Sequence, residues 1–474
     1  MNFVDFVLLN GRLYPNRPAI MMLDRVVTYG MVANAIHWTC ARLHQAGLRP
    51  GETVVLSFDN PVRHFVVFCA LMRLGIVSLT AGPDAATMAG ASAVLTGVAN
   101  QPQAADVRSI VVDDGWFQPP ADDGYPVDPA ATDPGRLAVL ALTSGTTGRS
   151  KPIAFTVAEF ESRLRDHALI HSVPGTSREL ILMGFAAQLA LTEVSRLLAC
   201  GRTACLAGSA EEAARMIDLY QVEVLFGSPQ QLSVLLAALD ETPASCASVQ
   251  LVTLSGAAAS AELATSIRRR ITRTIAIGYG STEARKTAMC LLDEADPVPG
   301  GVGYVVPSAR VEIVDDAGMP LPAGASGRIR ILAPAGGRPH VPGTLYPDRT
   351  PDWFYPGDVG HLRADGFLVI EGRSDELINA GGLKVAPERI EELVAGRGDI
   401  ADAAAFGVTG AGGIDEIWLA IVPREPVRSD ELIAYCARRS ETLAPARIVV
   451  VDRIPRNAMG KVERARLKAE AQQR

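Results

Sequence analysis

Short apolar segments rich in β-branched residues recur along the first 280 residues, separated by stretches long enough for a helix. They lie at 53–57, 110–112, 137–142, 180–183, 222–226 and 251–254. Helix-like patterns occupy 28–48 and 62–74. Strands that alternate with helices require crossover connections, and such connections produce parallel sheets covered by helices. The N-terminal part is therefore predicted to be α/β, with layers of parallel strands and helices.

The pattern changes twice further along the chain. From about residue 300, shorter alternating segments such as 309–314 and 327–332 are separated by Gly and Pro turns, which predicts a smaller β-rich subdomain. The last hundred residues then offer a strand pair around 365–371 and 383–385, a helix from Pro387, a strand at 416–422, a helix from Ser429 and a strand at 448–451. This order is typical of a small α+β unit of ordinary domain size.

We therefore expect three parts. The N-terminal domain spans 1–373, a linker occupies 374–375, and a small α+β C-terminal domain spans 376–474. A chain of 474 residues is too long for one compact core, and its 48% hydrophobic residues are enough to bury several.

Composition also excludes several classes of protein. The net charge of −7 includes no basic block, which argues against nucleic acid as a partner. No apolar stretch is long enough for a membrane span, and the N-terminus lacks the pattern of a signal peptide. The seven cysteines are scattered without ligand spacing, so we expect reduced core thiols and a cytoplasmic protein, either a monomer or a homodimer.

One loop carries the first sign of function. It follows the apolar segment at 137–142 and consists of Thr143, Ser144, Gly145, Thr146, Thr147, Gly148, Arg149, Ser150 and Lys151. Glycines let backbone N–H groups turn toward an anion, hydroxyls add donors, and the lysine adds a positive charge. The lysine does not stand at the spacing of a Walker A loop. The loop is predicted to bind a polyphosphate, and the alternative is a polar surface turn.

Four further motifs follow this loop in order. They are Gly278-Tyr279-Gly280-Ser281-Thr282-Glu283-Ala284, Trp353-Phe354-Tyr355-Pro356-Gly357-Asp358, Glu371-Gly372-Arg373-Ser374-Asp375-Glu376-Leu377-Ile378 and Pro455-Arg456-Asn457-Ala458-Met459-Gly460-Lys461-Val462-Glu463-Arg464. Together with the loop they resemble the motifs of the adenylate-forming superfamily, which includes acyl-CoA synthetases, adenylation domains of peptide synthetases, and luciferases. The resemblance runs from about residue 28 to 467 and is strongest to a stand-alone acyl-CoA synthetase.

The resemblance implies an ATP site. The loop at 143–151 would hold the departing phosphates, Tyr279 would lie against adenine, and Gly280 and Ser281 would continue the same motif. Gly256, Ala257 and Ala258 would form the other wall of the adenine site. Asp358 would accept both ribose hydroxyls, a bidentate use of its two oxygens, and Arg373 would support the ribose and phosphate side.

The resemblance also assigns the catalytic residues. Lys461 would bridge the substrate carboxylate and the α-phosphate, where negative charge builds up during the reaction. Thr282 would lie beside the α-phosphate, and Glu283 would bind Mg²⁺. Asp375 corresponds to the hinge about which the C-terminal domain turns between two steps. Gly381, Gly382 and Leu383 would then line a tunnel for coenzyme A, with a simple hairpin turn as the alternative.

The acid substrate is less defined. Phe185, Ala186 and Gln188 occupy the place of a substrate-pocket motif, in which amino-acid-activating relatives carry an Asp where this chain has Ala186. An ammonium without a partner in a pocket is costly, so an amino acid substrate is disfavoured. Arg285 and Lys286 either bind a second carboxylate or a polar acid or point to solvent; for Lys286 solvent is favoured, and for Arg285 both alternatives stay open.

The expected activity follows from these assignments. A carboxylic acid would be converted to an acyl-adenylate with release of pyrophosphate, and the acyl group would pass to the thiol of coenzyme A. ATP, Mg²⁺ and coenzyme A are the implied cofactors, and a small carboxylic acid is the partner. One alternative transfers the acyl group to a carrier protein; a remote alternative is a nucleotide-binding protein without catalysis, and a luciferase-type oxygenation is remoter still.

Overall fold

The computed structural model describes residues 2–98, 107–121, 124, 133–143, 151–170, 174–242, 244–292, 298, 300–332, 337–339, 353–380, 383–395, 397–409, 415–456 and 461–472. These ranges contain most of the predicted elements and motifs.

Strands and helices alternate through the N-terminal part, as the sequence pattern predicts. In chain order they are α1 (Phe3–Leu13), β1 (Pro18–Met22), β2 (Arg25–Thr28), α2 (Tyr29–Gln45), β3 (Thr53–Ser57), α3 (Pro61–Leu74), β4 (Val77–Thr80), α4 (Ala86–Ala89), β5 (Ala93–Thr96), β6 (Arg108–Val111), β7 (Leu137–Thr143), β8 (Lys151–Thr156), α5 (Val157–Ile170), β9 (Arg178–Ile181), α6 (Gln188–Ala199), β10 (Thr203–Leu206), α7 (Ala210–Leu219), β11 (Val224–Gly227), α8 (Pro229–Glu241), β12 (Leu251–Ser255), α9 (Ala261–Arg270) and β13 (Ile275–Ser281). Local chemistry sets the helix ends. The Asn60 side chain accepts a hydrogen bond from the first turn of α3, and Gly75 ends that helix in a left-handed conformation.

Strands dominate the following stretch, and the chain ends in a mixed unit. The strands are β14 (Arg285–Leu291), β15 (Gly301–Val305), β16 (Arg310–Val314), β17 (Gly327–Leu332), β18 (Arg338–Pro339), β19 (Trp353–Phe354), β20 (Asp358–Leu362) and β21 (Phe367–Arg373). The mixed unit contains β22 (Ile378–Ala380), β23 (Leu383–Val385), α10 (Pro387–Val394), β24 (Ile400–Thr409), β25 (Asp415–Pro423), α11 (Ser429–Arg439), β26 (Arg447–Val450) and α12 (Arg464–Gln472).

Two large sheets organise the N-terminal part. The smaller follows the order β18-β8-β7-β4-β3-β5-β6 and is parallel from β7 to β6. The larger follows the order β16-β17-β20-β21-β15-β14-β13-β12-β11-β9-β10-β1-β2 and is parallel from β13 to β1. The β-rich segments therefore extend the larger sheet by antiparallel strands, with no break between β13 and β14.

The main core lies between these two sheets. Apolar side chains of α1, α2, α3, α5 and α6 pack there with both sheets, and the rings of Phe3, Phe68 and Phe160 lie 5.8 Å apart. A second apolar cluster covers the other face of the larger sheet with α7, α8 and α9. Burial of both faces explains the near-continuous apolar strands of the sequence.

The C-terminal unit has its own small sheet, in which β24 pairs with β25 antiparallel and β25 with β26 parallel. The predicted pairing of 365–371 with 383–385 is wrong. β21 pairs with β20 and β15 in the larger sheet, and β23 pairs with β22. Alternation identifies a strand but not its partner, because pairing is decided by tertiary contacts.

Two expectations from composition can be compared with the structure. Every helix within the described ranges falls short of the length and apolar character needed to cross a membrane. Five cysteines are buried as expected, but Cys200 is exposed and Cys290 is partly exposed, so the prediction of core thiols is wrong for these two.

Candidate active site

The predicted nucleotide residues gather where β12 and β13 end. The two strands are parallel neighbours, and Ser255 is the register partner of Gly278. Gly256, Ala257 and Ala258 follow β12 directly, so they leave the sheet beside Tyr279, with Gly256 at a φ of +96°. Ligands of open α/β sheets bind outside the carboxyl ends of parallel strands. The two walls assigned to adenine are thus neighbours in this structure.

Tyr279, Asp358 and Arg373 form one connected group. The Tyr279 hydroxyl donates a short hydrogen bond to Asp358 Oδ2, and Arg373 Nη1 lies 3.6 Å from Asp358 Oδ1. Asp358 opens β20 and is the register partner of Arg373 at the end of β21. Because the three residues are up to 94 positions apart in the sequence, only the sheet brings them together.

Burial controls the electrostatics of this group. It raises the pKa of the Asp358 carboxyl, an effect opposed by the Tyr279 hydrogen bond and by the positive charges of Arg373 and Lys461. Burial and the neighbouring Asp358 carboxylate raise the pKa of Tyr279 well above its ordinary value. The Tyr279 hydroxyl therefore keeps its proton and donates to Oδ2 of Asp358, while Oδ1 of the same carboxylate faces the guanidinium of Arg373.

Asp375, the predicted hinge residue, belongs to the same group. Its Oδ1 lies 3.0 Å from Arg373 Nε. The preceding Ser374 donates through its backbone N–H to the carbonyl of Gly357 at 2.7 Å, and through its hydroxyl to the same oxygen at 2.9 Å. Gly357 has a φ of +85°, a conformation that favours glycine in this turn before Asp358. The linker is thereby attached to the turn that precedes Asp358.

The turn between β13 and β14 carries Thr282 and Glu283. Ser281 Oγ accepts a hydrogen bond from the Ala284 backbone N–H at 3.0 Å, which closes the turn. Gly280 lies so close to the Arg285 backbone that a Cβ would collide with it. Glycine is therefore needed at this position for steric reasons.

Arg163 of α5 holds this turn and escapes prediction from sequence. Its Nη2 donates to the backbone carbonyl of Thr282 at 2.5 Å, and its guanidinium lies 4.5 Å from the Phe155 ring centroid. The side chain is 5% exposed. Nothing in the sequence separates it from an ordinary solvated helix arginine, since its partner is a backbone atom 119 residues away.

Arg285 also connects the turn to α5. It forms an ion pair with Asp166 and donates to Ser162 Oγ at 2.8 Å, and its φ of +65° is unusual for a residue with a Cβ. Only 3% of the residue is exposed. We interpret Arg285 as a scaffold residue. The sequence left open whether it points to solvent, and its burial shows that it does not.

Lys286 contradicts its prediction. The expectation that it points to solvent is wrong, since 5% of the residue is exposed. The side chain crosses the sheet face toward Gly278, where a Cβ would lie 2.9 Å from Lys286 Nζ.

The predicted acid-pocket residues at 185–188 differ in their exposure to solvent. Phe185 is buried in the main core, with its ring 5.2 Å from that of His64. Ala186 is exposed, and Gln188 begins α6. Gln188 Nε2 is buried, yet among the described residues it has no hydrogen-bond partner. An orphaned donor of this kind is a reasonable place for a ligand oxygen.

The predicted phosphate loop and the predicted coenzyme A tunnel are described only at their ends. Thr143 and Lys151 are register partners in the β7–β8 pair. Ser144, Gly145, Thr146, Thr147 and Gly148 lie outside the described residues, as do Gly381 and Gly382. Leu383 opens β23 opposite Ala380.

Lys461 approaches the site from the C-terminal unit. Lys461 is exposed, and its positive charge opposes the effect of burial, which raises the pKa of Asp358. Arg464, three residues further on, forms ion pairs with Glu376 at 3.1 Å, Glu388 at 2.5 Å and Glu391 at 3.1 Å. The segment that carries the lysine is therefore tied to the start of the C-terminal unit.

Comparison with known proteins identifies the family. A model of the AMP-binding enzyme family matches residues 10–337, and the model of the C-terminal domain of these enzymes matches residues 389–461. The chain belongs to the AMP-binding enzyme family. This confirms the resemblance drawn from the five motifs.

Individual AMP-binding enzymes match over nearly the whole chain. Enterobactin synthase component E of Escherichia coli is 26% identical, over 95% of this chain and 91% of that protein. The 2-succinylbenzoate–CoA ligase of Bacillus licheniformis is 25% identical, over 98% and 100% respectively. The structure of O-succinylbenzoate coenzyme A synthetase from Bacillus subtilis in complex with AMP superposes with a TM-score of 0.85 at 23% identity, covering 98% of both chains. The predicted fold class, with a large N-terminal and a smaller C-terminal domain, is confirmed by this likeness.

Proposed function

We propose that this AMP-binding enzyme activates a carboxylic acid with ATP and transfers the acyl group to the thiol of coenzyme A. The observation that carries the proposal is the position of Lys461, close enough to Asp358 for its charge to oppose the rise in the pKa of that carboxyl caused by burial. A movable lysine beside the ribose-binding carboxylate is what adenylate formation requires, since the reaction joins two anions.

The first step makes one bond and breaks one. An oxygen of the acid attacks the α-phosphorus of ATP, the bond to the β-phosphate oxygen breaks, and pyrophosphate leaves with its electron pair. The protein's tasks are alignment and charge neutralisation. Asp358 holds the ribose, Thr282 and the 143–151 loop contact the phosphates, and Lys461 neutralises charge between the acid and the α-phosphate.

The second step replaces AMP by a thiol. The coenzyme A sulfur attacks the acyl carbon, AMP departs with the bonding electrons, and the thiol proton goes to solvent. In the proposed mechanism the C-terminal domain turns about residues 374–375 between the steps, so that Gly381, Gly382 and Leu383 line the path of the thiol. The hydrogen bonds from Ser374 to Gly357 attach the N-terminal end of that hinge to the large domain.

Magnesium fits this site as a companion of the triphosphate. Glu283 is a partly exposed carboxylate on the turn beside Thr282, a donor suited to a hard cation. In the described part of the chain no group of three or more potential metal-ligating side chains occurs. Mg²⁺ commonly binds through one or two carboxylates and substrate phosphates, so Glu283 would suffice as the protein ligand, and the ion would neutralise phosphate charge.

The acceptor has two candidates. Relatives named oxalate–CoA ligase of Arabidopsis thaliana, 24% identical, and 2-succinylbenzoate–CoA ligase favour coenzyme A. Enterobactin synthase component E is named as part of a synthase, which keeps transfer to a carrier protein as the second candidate. Both acceptors present the same thiol chemistry, and we place either reaction in the cytoplasm, as expected from the reduced cysteines.

Pyrophosphate release with ATP, Mg²⁺ and a panel of carboxylic acids tests the proposal. We expect release with one class of acid, followed by a thioester when coenzyme A is added and detected by mass spectrometry. A thioester formed only with an added carrier protein would support the second candidate. Bound ATP with no pyrophosphate release across the panel would contradict the proposal and favour a nucleotide-binding protein without catalysis.

A further inference from the structure

Arg373, the last residue of β21, has side-chain contacts in two directions. Toward the large domain, its Nη1 lies 3.6 Å from Asp358 Oδ1 and donates to the carbonyl of Pro356 at 3.3 Å. Toward the linker, its Nε lies 3.0 Å from Asp375 Oδ1 and 4.0 Å from Glu376 Oε1. One guanidinium thus lies between the carboxylate assigned to the ribose and the first residues beyond β21.

Glu376 continues this set of contacts into the C-terminal unit. Its second oxygen, Oε2, lies 3.1 Å from Nε of Arg464, the first residue of α12. Burial raises the pKa of the Glu376 carboxyl, and the charges of Arg464 and Arg373 oppose this rise. Only 28% of the Glu376 side chain and 11% of the Arg464 side chain are exposed, so water screens their attraction less than that of a surface pair. Glu376 therefore links a cation of the large domain to a cation of the C-terminal unit.

Arg464 connects Glu376 to the segment that carries Lys461, which lies three residues before it. Two further carboxylates, Glu388 and Glu391 of α10, hold the same guanidinium within the C-terminal unit. Of the carboxylates that the described part of the chain places around Arg464, only Glu376 also forms an ion pair with a residue that precedes the linker. The position of residues 461–464 relative to β21 therefore depends on Glu376.

The backbone of the linker forms a turn at the same place. The carbonyl of Arg373 accepts hydrogen bonds from the N–H groups of Glu376 at 3.2 Å and Leu377 at 2.9 Å. These bonds span residues 374–375, the proposed hinge, so a rotation there would break them. The same rotation would carry Glu376 away from Arg373 but leave it beside Arg464, because Glu376 and Arg464 belong to the same unit. The contact between Arg373 and Glu376 is thus specific to this domain orientation.

Close packing at the end of β21 accompanies this orientation. Gly372 has a φ of +151°, and a Cβ there would lie 2.7 Å from the Cβ of Ala386 and 3.1 Å from Cδ2 of Leu377. Both neighbours lie beyond the linker. The C-terminal unit is therefore in direct contact with the strand that ends in Arg373.

We propose that Glu376 is a positioning residue for the adenylation step. Through its ion pairs with Arg373 and Arg464, it holds the C-terminal unit in the orientation that brings Lys461 toward the Asp358 side of the site. Rotation for the second step releases the contact with Arg373, so Glu376 acts on the first step alone. This inference rests on the proposed function, since it assigns a residue to one step of that reaction.

The Glu376→Gln variant, which keeps the size of the side chain and removes its charge, tests the assignment. We expect kcat for pyrophosphate release to fall by about three- to tenfold, because a partly exposed ion pair that positions a reacting group is lost. KM for ATP should change by less than about twofold, since Arg373 keeps its contact with Asp375. Thioester formation from chemically prepared acyl-adenylate should also stay within about twofold of the wild-type rate. Glu392→Gln, an exposed carboxylate of α10, is the matched control and should change neither half-reaction.

A double-mutant cycle shows whether Glu376 acts through Arg464. In an Arg464→Met background the ion pair is already broken, so Glu376→Gln should slow adenylation little further. Additive effects of the two substitutions would show that Glu376 does not act through Arg464 and would overturn the assignment. So would an equal loss in both half-reactions, which is the result expected of a merely structural residue, or unchanged adenylation in Glu376→Gln.

Amide hydrogen exchange separates this inference from the proposed function. If no acid is turned over, the proposed function fails, and the amides of Glu376 and Leu377 still report on the linker turn, measured by mass spectrometry with Mg²⁺ and ATP present. Protection of these amides that is about three- to tenfold lower in Glu376→Gln than in the wild type and Glu392→Gln would support the assignment. Equal protection in all three proteins would contradict it.

Discussion

Asp358 and Arg373 face each other as register partners of β20 and β21, with 3.6 Å between Oδ1 and Nη1. The pairing matters because the other oxygen of the same carboxylate accepts from Tyr279. One residue from each of three motifs thereby meets at a single carboxylate, and that carboxylate is the one assigned to the ribose.

Replacing Asp358 by Asn should impair ATP use. We expect kcat/KM for ATP in pyrophosphate release to fall by roughly 10- to 100-fold, because the charged acceptor for the ribose hydroxyls is lost. Tyr279→Phe removes one hydrogen bond to that carboxylate and should cost less, about three- to tenfold. A Tyr279→Phe effect larger than that of Asp358→Asn would argue against Asp358 as the ribose residue.

Replacing Lys461 by Ala should slow adenylation and spare the second step. Loss of an electrostatic group at the reacting phosphorus typically costs about 100- to 1,000-fold in kcat. Thioester formation from chemically prepared acyl-adenylate should be nearly unchanged, because in the proposed mechanism the second half-reaction uses the other domain orientation. Lys468→Ala is the matched control. Equal loss in both half-reactions would contradict the assigned role.

Replacing Arg163 by Met should affect both stability and rate. The buried carbonyl of Thr282 would lose its donor, so the free energy of unfolding should fall by about 1–3 kcal/mol. Misplacement of the turn that carries Thr282 should lower adenylation kcat, by up to about 100-fold. Arg165→Met alters an exposed arginine of the same helix and should do neither. Denaturant unfolding and pyrophosphate release measure the two effects separately.

Replacing Arg464 by Met should loosen the segment that carries Lys461. Glu376, Glu388 and Glu391 would lose the cation that lies among them, and like charges would then repel. The side chains are partly exposed. We therefore expect the free energy of unfolding to fall by more than a surface ion pair contributes, about 0–1 kcal/mol, and by less than the loss of a buried partner costs, about 3–5 kcal/mol. Arg466→Met, which breaks exposed pairs on the same helix, is the control. Unchanged melting and unchanged adenylation would contradict the anchoring role.

Sequence patterns predicted many elements and the order of the motifs. The strands at 327–332 and 383–385 and the helix from Pro387 lie where alternation and the Pro signal put them. The pattern missed β24, and it paired β23 with the wrong strand. Local residues decide whether a segment is extended, whereas its partner depends on distant residues.

In the candidate site, too, local sequence predicted some residues, and tertiary contacts alone decided the position of others. The motifs named Tyr279, Asp358, Arg373 and Lys461 because each motif is local in sequence. Arg163 could not be found, since its partner is a main-chain oxygen on another element. The position of Lys286 was misjudged, because a lone lysine is usually solvated, whereas in the fold its side chain is buried against the strand of Gly278.

The sequence by itself therefore determined the fold class, the family and the chemistry of the motifs, since these depend on local residue types and their order. The tertiary structure alone decided that three separated motifs meet at the Asp358 carboxylate and that Lys286 lies over Gly278. Charge, burial and hydrogen bonding act over a few ångströms in space, and chain order does not record which residues come that close.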